Sequence, residues 1–248
     1  MDHKKYGDAV ISGSGRLTGG TYSNVKVSGS SVIDGDINAQ DIKVSGSAKF
    51  RGNVSSRSVK VSGSVRFDGN VETGECKISG SADVEGNLHA RSIKTSGSLN
   101  GHESVRAEEI KISGHLYTEG DVEAESFEAS GGFKIRGLLN ASQIRISMNG
   151  LCFAREIGGD RIEAKLAPLN LFWRFVVWAA EWFNRGSRFG LRSELIEGTF
   201  VALEWAEAKV VRGQAVEIGR GCNIGLLEYS ESVWIDPQAN VQEVRQIV

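Results

Sequence analysis

Residues 41–52, with the sequence D-I-K-V-S-G-S-A-K-F-R-G, form a segment whose close copies recur along most of the chain. The Ser-Gly pair within it returns at a constant 17-residue step, with its serines at Ser28, Ser45, Ser62, Ser79, Ser96, Ser113 and Ser130. An earlier copy at Ser12 lies one residue closer to Ser28 than this step, and a later copy at Ser147 keeps the step without the glycine. So short and regular a repeat predicts a solenoid, in which each unit buries its apolar face only by stacking on its neighbours.

The alternation of side chains within the repeat predicts a strand. From Ile42 to Phe50, apolar or small residues occupy every second position and polar residues lie between them, which is the period of a strand with one buried face. The spacing of three and four residues that a helix requires is missing. We therefore expect an all-β fold, a single-stranded and right-handed parallel β-helix with about 17 residues per coil, interrupted by an apolar, helical insertion near residues 166–190.

Equivalent positions in successive copies predict the columns of side chains that line the interior. Three columns are apolar, and a fourth consists of small residues, which suit a tight corner. The columns are Val25, Ile42, Val59, Cys76, Ile93, Ile110, Phe127 and Ile144; Val27, Val44, Val61, Ile78, Thr95, Ile112, Ala129 and Ile146; Ile37, Val54, Val71, Leu88, Val105, Val122 and Leu139; and Ala39, Ser56, Thr73, Ala90, Ala107, Ala124 and Ala141. The recurring glycines Gly46, Gly63 and Gly80 also point inward, which predicts a bend of the wall there.

The repeat divides the chain into four segments. We expect an N-terminal lead-in at residues 1–8, β-helix coils at 9–165, an apolar aromatic insertion at 166–193 and further β-helix coils at 194–248. Near the end of the first set of coils, Ile157 and Ile162 lie one residue later than the columns predict. An added residue in a turn would explain this slip.

Composition and charge narrow the functional classes. The chain has 31 glycines and 2 prolines, as expected where many turns need permissive dihedral angles and every strand needs its N–H groups. The formal net charge of −2 gives no reason to expect a nucleic acid as partner.

The cysteines and the N-terminus indicate the cellular compartment. Cys76, Cys152 and Cys222 lack metal-ligand spacing and are interpreted as buried hydrophobes in a reducing compartment. Because no secretory signal follows Met1, we expect a cytoplasmic protein.

Residues 169–185 form the most apolar segment of the sequence. As a helix this segment has a narrow polar stripe, and its charged residues and length fall short of a membrane span. It could dock on the β-helix as a lid, insert into the inner membrane surface with its tryptophans at headgroup level, or contact a partner. The candidate contact residues are Leu169, Phe172, Trp173, Phe175, Val176, Trp178, Trp182 and Phe183.

Six lysines form an outward column, which we call the lysine column: Lys26, Lys43, Lys60, Lys77, Lys94 and Lys111. Like charges stacked at strand spacing repel one another and require nearby acids, counterions or an anionic partner. One interpretation is a strip that faces lipid headgroups, cell-wall precursors or an acidic face of another filament. The other, which we prefer, is a solvated face that discourages lateral aggregation, helped by acids such as Asp41, Glu75 and Glu109.

The coils with their Ile-Lys-Val-Ser-Gly-Ser motif, at residues 42–47, resemble those of the bactofilins, bacterial cytoskeletal proteins. The C-terminal run from Ile196 through Gly213 and Ile218 to Tyr229 resembles the larger, two-block members called polymer-forming cytoskeletal proteins. The resemblance implies a β-helical domain that polymerises with itself, or with a related paralogue, without a nucleotide. The long aromatic insertion and the lack of proline-rich tails depart from the family pattern.

We expect a non-enzymatic scaffold that self-assembles through its β-helix ends and positions client proteins, in contact with the inner membrane surface. The ends of a β-helix present unpaired N–H and C=O groups that another chain can extend. Two alternatives stay open: a non-polymerising binding module that uses the lysine column for an anionic partner, and a hexapeptide-type acyltransferase, suggested by residues 216–225. His3, His89, His102 and His115 are interpreted as scattered surface residues, so we expect no catalytic residues, metal or cofactor.

Overall fold

The computed structural model describes residues 6–167 and 190–247. These residues form parallel strands and contain no helix. The chain divides into two compact units, an N-terminal unit, Met1–Glu125, and a C-terminal unit, Ser126–Val248. The expected all-β, parallel β-helical fold is confirmed within each unit.

The strands of the N-terminal unit are β1 (Ala9–Ile11), β2 (Ser14–Val27), β3 (Ser30–Val44), β4 (Ser47–Phe50), β5 (Val54–Val61), β6 (Ser64–Phe67), β7 (Val71–Ile78), β8 (Ser81–Val84), β9 (Leu88–Thr95), β10 (Ser98–Gly101), β11 (Val105–Ile112) and β12 (His115–Thr118). Strand β13 (Val122–Ala129) contains the boundary between the units. The C-terminal unit continues with β14 (Gly132–Met148), β15 (Leu151–Leu166), β16 (Gly190–Leu203), β17 (Ala206–Ile218), β18 (Asn223–Ile235) and β19 (Asn240–Gln246).

The 17-residue period sets the register of the N-terminal unit. Ile42 pairs with Val25 in the coil before it and with Val59 in the coil after it. From β4 onward in this unit, short strands alternate with long ones, so each coil contributes one of each, as β5 and β6 do. The two kinds stack separately: β5 pairs with β7, whereas β6 pairs with β8. Every coil therefore places its apolar residues directly above those of the coil before.

The predicted columns form the core. Every member of the first column is at most 4% exposed, and in the third column the same holds for its members from Ile37 to Leu139. At the ends of the short strands β4 and β6, the rings of Phe50 and Phe67 stack with their centroids 5.0 Å apart. Burial of large aliphatic and aromatic side chains stabilises such a solenoid by about 25 cal/mol for each Å² of apolar surface.

A ladder of asparagines closes the turn that follows each short strand. The side-chain oxygen of Asn53 accepts a hydrogen bond from the backbone N–H of Asn70 at 2.9 Å, and Asn70 does the same for Asn87 at 2.9 Å. Asp36 begins the series by accepting from Asn53 N–H at 2.7 Å. These side chains satisfy backbone donors that the turn would otherwise leave without a partner.

The C-terminal unit keeps the parallel pairing but changes the coil length. The predicted register slip is confirmed: Ile157 pairs with Leu139 and Ile162 with Ile144, each one residue more than the 17-residue step. Earlier in the same pair of strands, Phe133 pairs with Cys152, so the separation of the paired residues is two residues longer than the 17-residue step. An irregularity of the pairing between Ile135 and Leu138 then shortens this separation by one residue. The coil that follows β16 is shorter than the repeat, since Leu191 pairs with Ala206.

The helical insertion predicted near residues 166–190 falls mainly on residues 168–189, which lie outside the described residues. On either side of it, β15 ends at Leu166 and β16 begins at Gly190, and the two strands pair through Leu151 and Gly190. Within the described part of the chain, no helix has the length and apolar character needed to cross a membrane.

Candidate interaction surfaces

Strand β19 of the C-terminal unit has one open edge among the described residues. Among the described residues, β19 pairs with β18 alone, from Asn223 with Asn240 to Tyr229 with Gln246. All residues of β19 except Val241 are exposed, and Val244 is 44% exposed. Trp234, near the end of β18, is 56% exposed. This edge, which we call the C-terminal edge, therefore combines free backbone groups with apolar side chains.

The first coil of the N-terminal unit has a comparable edge, which we call the N-terminal edge. Strand β1 pairs only with β2 among the described residues, with Ala9 opposite Val25 and Ile11 opposite Val27. Val10 is 62% exposed and Tyr6 is 43% exposed. Gly13, in the first Ser-Gly copy, has no atom within 4 Å of the position that a Cβ would take. Open strand edges of this kind are templates for pairing with another chain.

The lysine column lies in register on the long strands of the N-terminal unit. Each lysine pairs with the next one along the column, from Lys26 with Lys43 to Lys94 with Lys111. Five of the six are exposed, and Lys111 is half-buried. The structure thus confirms the stacking, with successive Cα atoms about 4.8 Å apart.

Among the described residues, carboxylates neutralise only one end of the lysine column. Glu109 lies 3.4 Å from the Nζ atom of Lys94 and 2.8 Å from that of Lys111. These contacts lower the pKa of Glu109, chiefly through the hydrogen bond from Lys111. Within the described residues, Lys26, Lys43, Lys60 and Lys77 have no carboxylate oxygen within the 4.0 Å of an ion pair.

Asp41, which borders the lysine column, is engaged by other groups. Its Oδ1 atom accepts a hydrogen bond from the Ser58 hydroxyl at 2.6 Å, and its Oδ2 atom is in close contact with Arg57. The Ser58 hydrogen bond is the main reason that the pKa of Asp41 is lowered, with a further contribution from the charges of Arg57 and Lys60. Asp41 therefore remains ionised, but Arg57 rather than a lysine is its partner.

Sequence reasoning missed one cluster of titratable side chains. His102 Nε2 lies 3.2 Å from Asp83 Oδ1 and 3.7 Å from Glu85 Oε1, so that three ligand atoms lie within 4.8 Å of one another. The guanidinium of Arg66 also contacts both carboxylates. Because Arg66 already supplies the positive charge, we interpret the cluster as an ion-pair network. Its signal in the sequence was the 17-residue step from Arg66 to Asp83 and from Glu85 to His102, which places charged residues of neighbouring coils together.

The three cysteines lack the properties of reactive thiols. All are free and buried, and burial raises the pKa of Cys76 to about 12 and those of Cys152 and Cys222 to about 11. Thiols with such pKa values are almost entirely protonated at neutral pH, and the thiolate is the nucleophilic form. The interpretation of the cysteines as buried hydrophobes agrees with this burial.

The aromatic contact residues predicted from the sequence, Leu169, Phe172, Trp173, Phe175, Val176, Trp178, Trp182 and Phe183, lie outside the described residues. That these residues dock on the β-helix as a lid, or contact a membrane or a partner, stays a prediction.

Comparison with known protein families identifies a match to the Bactofilin family. The model of the Bactofilin family, described as polymer-forming cytoskeletal, matches residues 4–89 and 48–140. Two proteins of Bacillus subtilis strain 168, both named as uncharacterized, are similar to this chain. YhbF is 36% identical over 107 residues, which cover 43% of this chain and 40% of YhbF. YhbE is 36% identical over 111 residues, which cover 42% of this chain and 41% of YhbE. The chain thus spans about two fifths of the length of these relatives. No solved structure matches the chain.

Proposed function

Because the chain belongs to the bactofilin family of polymer-forming cytoskeletal proteins, we propose that it assembles end to end into filaments without a nucleotide. In this proposal the filament is a scaffold that positions client proteins, and a related paralogue can join it. A non-enzymatic role agrees with the family, whose description is structural. The single observation that carries the proposal is the open C-terminal edge, where β19 has one paired neighbour among the described residues and Val244 remains 44% exposed.

The chemistry of this edge supports association with another copy of the chain. A neighbouring strand would satisfy the backbone N–H and C=O groups of β19 and cover the side chains of Trp234 and Val244. Strand addition of this kind gains affinity from main-chain hydrogen bonds and specificity from the side chains that alternate along the strand. The process needs no nucleotide, since hydrogen bonding and burial of apolar surface drive it.

Electron microscopy of the purified protein tests filament formation. We expect filaments in buffer without nucleotide, and their loss in Val244→Arg, because the guanidinium would have to be buried at the C-terminal edge without a partner. Thr199→Arg is the matched control. Thr199 is exposed on β16, which has paired neighbours on both sides, β15 and β17. The absence of filaments from the wild-type protein at every salt concentration would refute the proposal, as would normal filaments of Val244→Arg.

We also propose that the scaffold lies at the inner face of the cell membrane. The support is in the sequence: residues 169–185 contain three tryptophans, Trp173, Trp178 and Trp182, with Arg174 and Arg185 beside them. Tryptophan and arginine in an amphipathic segment favour the membrane interface. Sedimentation with anionic liposomes should show weaker binding of the triple variant Trp173→Ser, Trp178→Ser and Trp182→Ser. Equal sedimentation of this variant and the wild-type protein would contradict the membrane contact.

A further inference from the structure

The lysine column is an unusually long run of like charges in register. In several other columns of the described residues, residues of opposite sign face each other in neighbouring coils, although Lys49 also pairs with Arg66. Arg51 lies 3.0 Å from Asp34, and Arg106 lies 2.8 Å from Glu123. In the C-terminal unit, Arg212 contacts Glu197 at 3.1 Å and Glu228 at 2.8 Å. Alternating signs stabilise the stacking of coils, whereas like charges directly opposite each other destabilise it.

The column therefore repeats an arrangement that costs stability. Four successive lysines, Lys26, Lys43, Lys60 and Lys77, stack in register with no carboxylate of the described residues within ion-pair distance. In other columns of the same coils, basic residues alternate with acidic ones. The fold itself therefore does not require a lysine at each of these positions. A function that uses the stacked positive charges would explain why the repulsion is retained.

The side chains beside the column are suited to an anion. Two residues after each lysine, directly past the end of its long strand, stands a serine of the Ser-Gly pair. The first five of these serines are exposed: Ser28, Ser45, Ser62, Ser79 and Ser96. Their hydroxyl groups form no hydrogen bond with other described side chains or backbone atoms. Each lysine from Lys26 to Lys94 thus has a hydroxyl donor beside it, and ammonium and hydroxyl groups together form hydrogen bonds with phosphate oxygens.

The shape of the positive surface selects among anionic partners. The column is one residue wide and roughly 20 to 25 Å long, since five intervals of about 4.8 Å separate its ends. On the other side it is bordered at every second coil by a carboxylate, at Asp41, Glu75 and Glu109. A broad anionic bilayer would face these carboxylates as well as the lysines, whereas a narrow chain can lie on the lysines and serines alone.

The same surroundings disfavour single-stranded nucleic acid. Proteins bind its bases by stacking them on aromatic side chains next to a basic groove. Here the positions on either side of the lysines hold serine, asparagine, aspartate and glutamate, and the stacked rings of Phe50 and Phe67 are buried. Within the described part of the chain, the positions next to the lysines thus offer charge and hydroxyl donors but no aromatic ring for a base.

We propose that the lysine column binds a linear phosphate polymer without aromatic groups, of the inorganic polyphosphate type, which lies along successive coils. The ammonium groups of Lys26, Lys43, Lys60 and Lys77 neutralise its phosphates, and the adjacent serine hydroxyls donate hydrogen bonds to the same oxygens. The flexible lysine side chains adjust the spacing of about 4.8 Å between coils to that of the polymer. This interaction is independent of the strand edges that the filament uses.

Fluorescence anisotropy with labelled linear polyphosphate tests the proposal. Binding should weaken between about 50 and 200 mM salt with a log–log slope of about −3, as expected when about four charges are neutralised. In the triple variant Lys43→Gln, Lys60→Gln and Lys77→Gln, affinity should fall at least about tenfold and the slope should approach about −1. The melting temperature of this variant should rise, because the repulsion is removed, so that loss of binding cannot be attributed to unfolding.

A matched triple variant controls for net charge. Arg16→Gln, Arg51→Gln and Arg106→Gln remove three positive charges from columns of the same unit that contain acids, and polyphosphate affinity should stay within about twofold of wild type. Glu75→Gln should bind more tightly than wild type, since it removes a carboxylate beside the column.

Three results would overturn the proposal. One is an equal loss of affinity in both triple variants, which would indicate bulk charge only. Another is tighter lysine-dependent binding to phosphatidylglycerol vesicles than to polyphosphate, which would assign the surface to a bilayer. The third is equal lysine-dependent binding of single-stranded DNA. Filament formation by the lysine triple variant, followed in parallel by electron microscopy, separates this proposal from that of end-to-end assembly.

Discussion

Gly46 packs directly against Gly29 of the preceding coil: a Cβ atom on Gly46 would lie 2.0 Å from the carbonyl oxygen of Gly29. The same distance recurs for Gly63 against Gly46 and for Gly80 against Gly63. The reason for these glycines is therefore close approach of backbones at the corner. Conformational freedom, which the sequence suggested, explains others, since the described glycines with positive φ are Gly20, Gly35, Gly190 and Gly221.

This packing predicts that Gly63→Ala destabilises the protein by about 3 kcal/mol, because the added methyl group meets rigid backbone on a stacked coil. Gly13→Ala is the matched control. Gly13 occupies the same position of the motif in the first coil and has no atom within 4 Å of the Cβ position. Urea unfolding followed by circular dichroism measures both. Equal midpoints for the two variants would show that the corner relaxes freely.

Thr95 stands in an apolar inward column with its hydroxyl group unsatisfied. It is 2% exposed, and its Oγ1 atom has no hydrogen-bond partner among the described residues. Thr95→Val should stabilise the protein by about 1 kcal/mol, because a buried polar group without a partner is replaced by an apolar group of the same shape.

Thr118 provides the opposite case for the same substitution. It is fully buried, but its hydroxyl donates to the Glu103 carbonyl at 2.9 Å and accepts from Gly120 N–H at 3.2 Å. Thr118→Val should therefore destabilise by about 1 to 2 kcal/mol. Thermal unfolding of the two variants should shift in opposite directions, and a parallel shift would contradict the assigned hydrogen bonds.

The buried thiol of Cys76 makes stability sensitive to alkaline pH. Burial raises its pKa from 9.0 to about 12, so the folded state holds a proton that the unfolded state releases above about pH 9. The contribution is fully present below that pH and is lost as pH rises toward 12. The free energy of unfolding should fall over this range, and Cys76→Val should reduce the fall. An identical pH profile for the variant would refute this assignment.

Arg212 forms an ion pair with a carboxylate that is largely shielded from water. The side chain of Glu228 is 12% exposed and lies 2.8 Å from Arg212 Nη2, which is the main reason that the pKa of Arg212 is raised. Arg212→Ala should cost about 1 to 2 kcal/mol, because Glu228 loses its partner. Arg245→Ala, at an exposed pair with Glu243, should cost at most about 0.5 kcal/mol. Calorimetry of the two variants tests the difference.

Much of the fold could be predicted from the order of residues. The 17-residue step and the alternation from Ile42 to Phe50 are local patterns, and because parallel coils stack in register, they determine the inward columns and the stacking of Lys26 to Lys111. The slip at Ile157 was visible for the same reason. The cluster of Asp83, Glu85 and His102 was not predicted, because it joins diagonal neighbours one coil apart, whereas the columns compare only residues directly above one another.

The sequence by itself determined the coil, its period and which side chains face inward, since a strand with one buried face imposes an alternation that can be counted. Only the tertiary structure decided how closely the backbones of Gly29 and Gly46 approach each other. It also decided that Arg57 rather than a lysine forms the ion pair with Asp41, and that Val244 is left exposed at the C-terminal edge. These properties depend on distances between atoms of different coils and on which strand lacks a second paired neighbour among the described residues. The repeat pattern is the same whether or not another strand covers that edge.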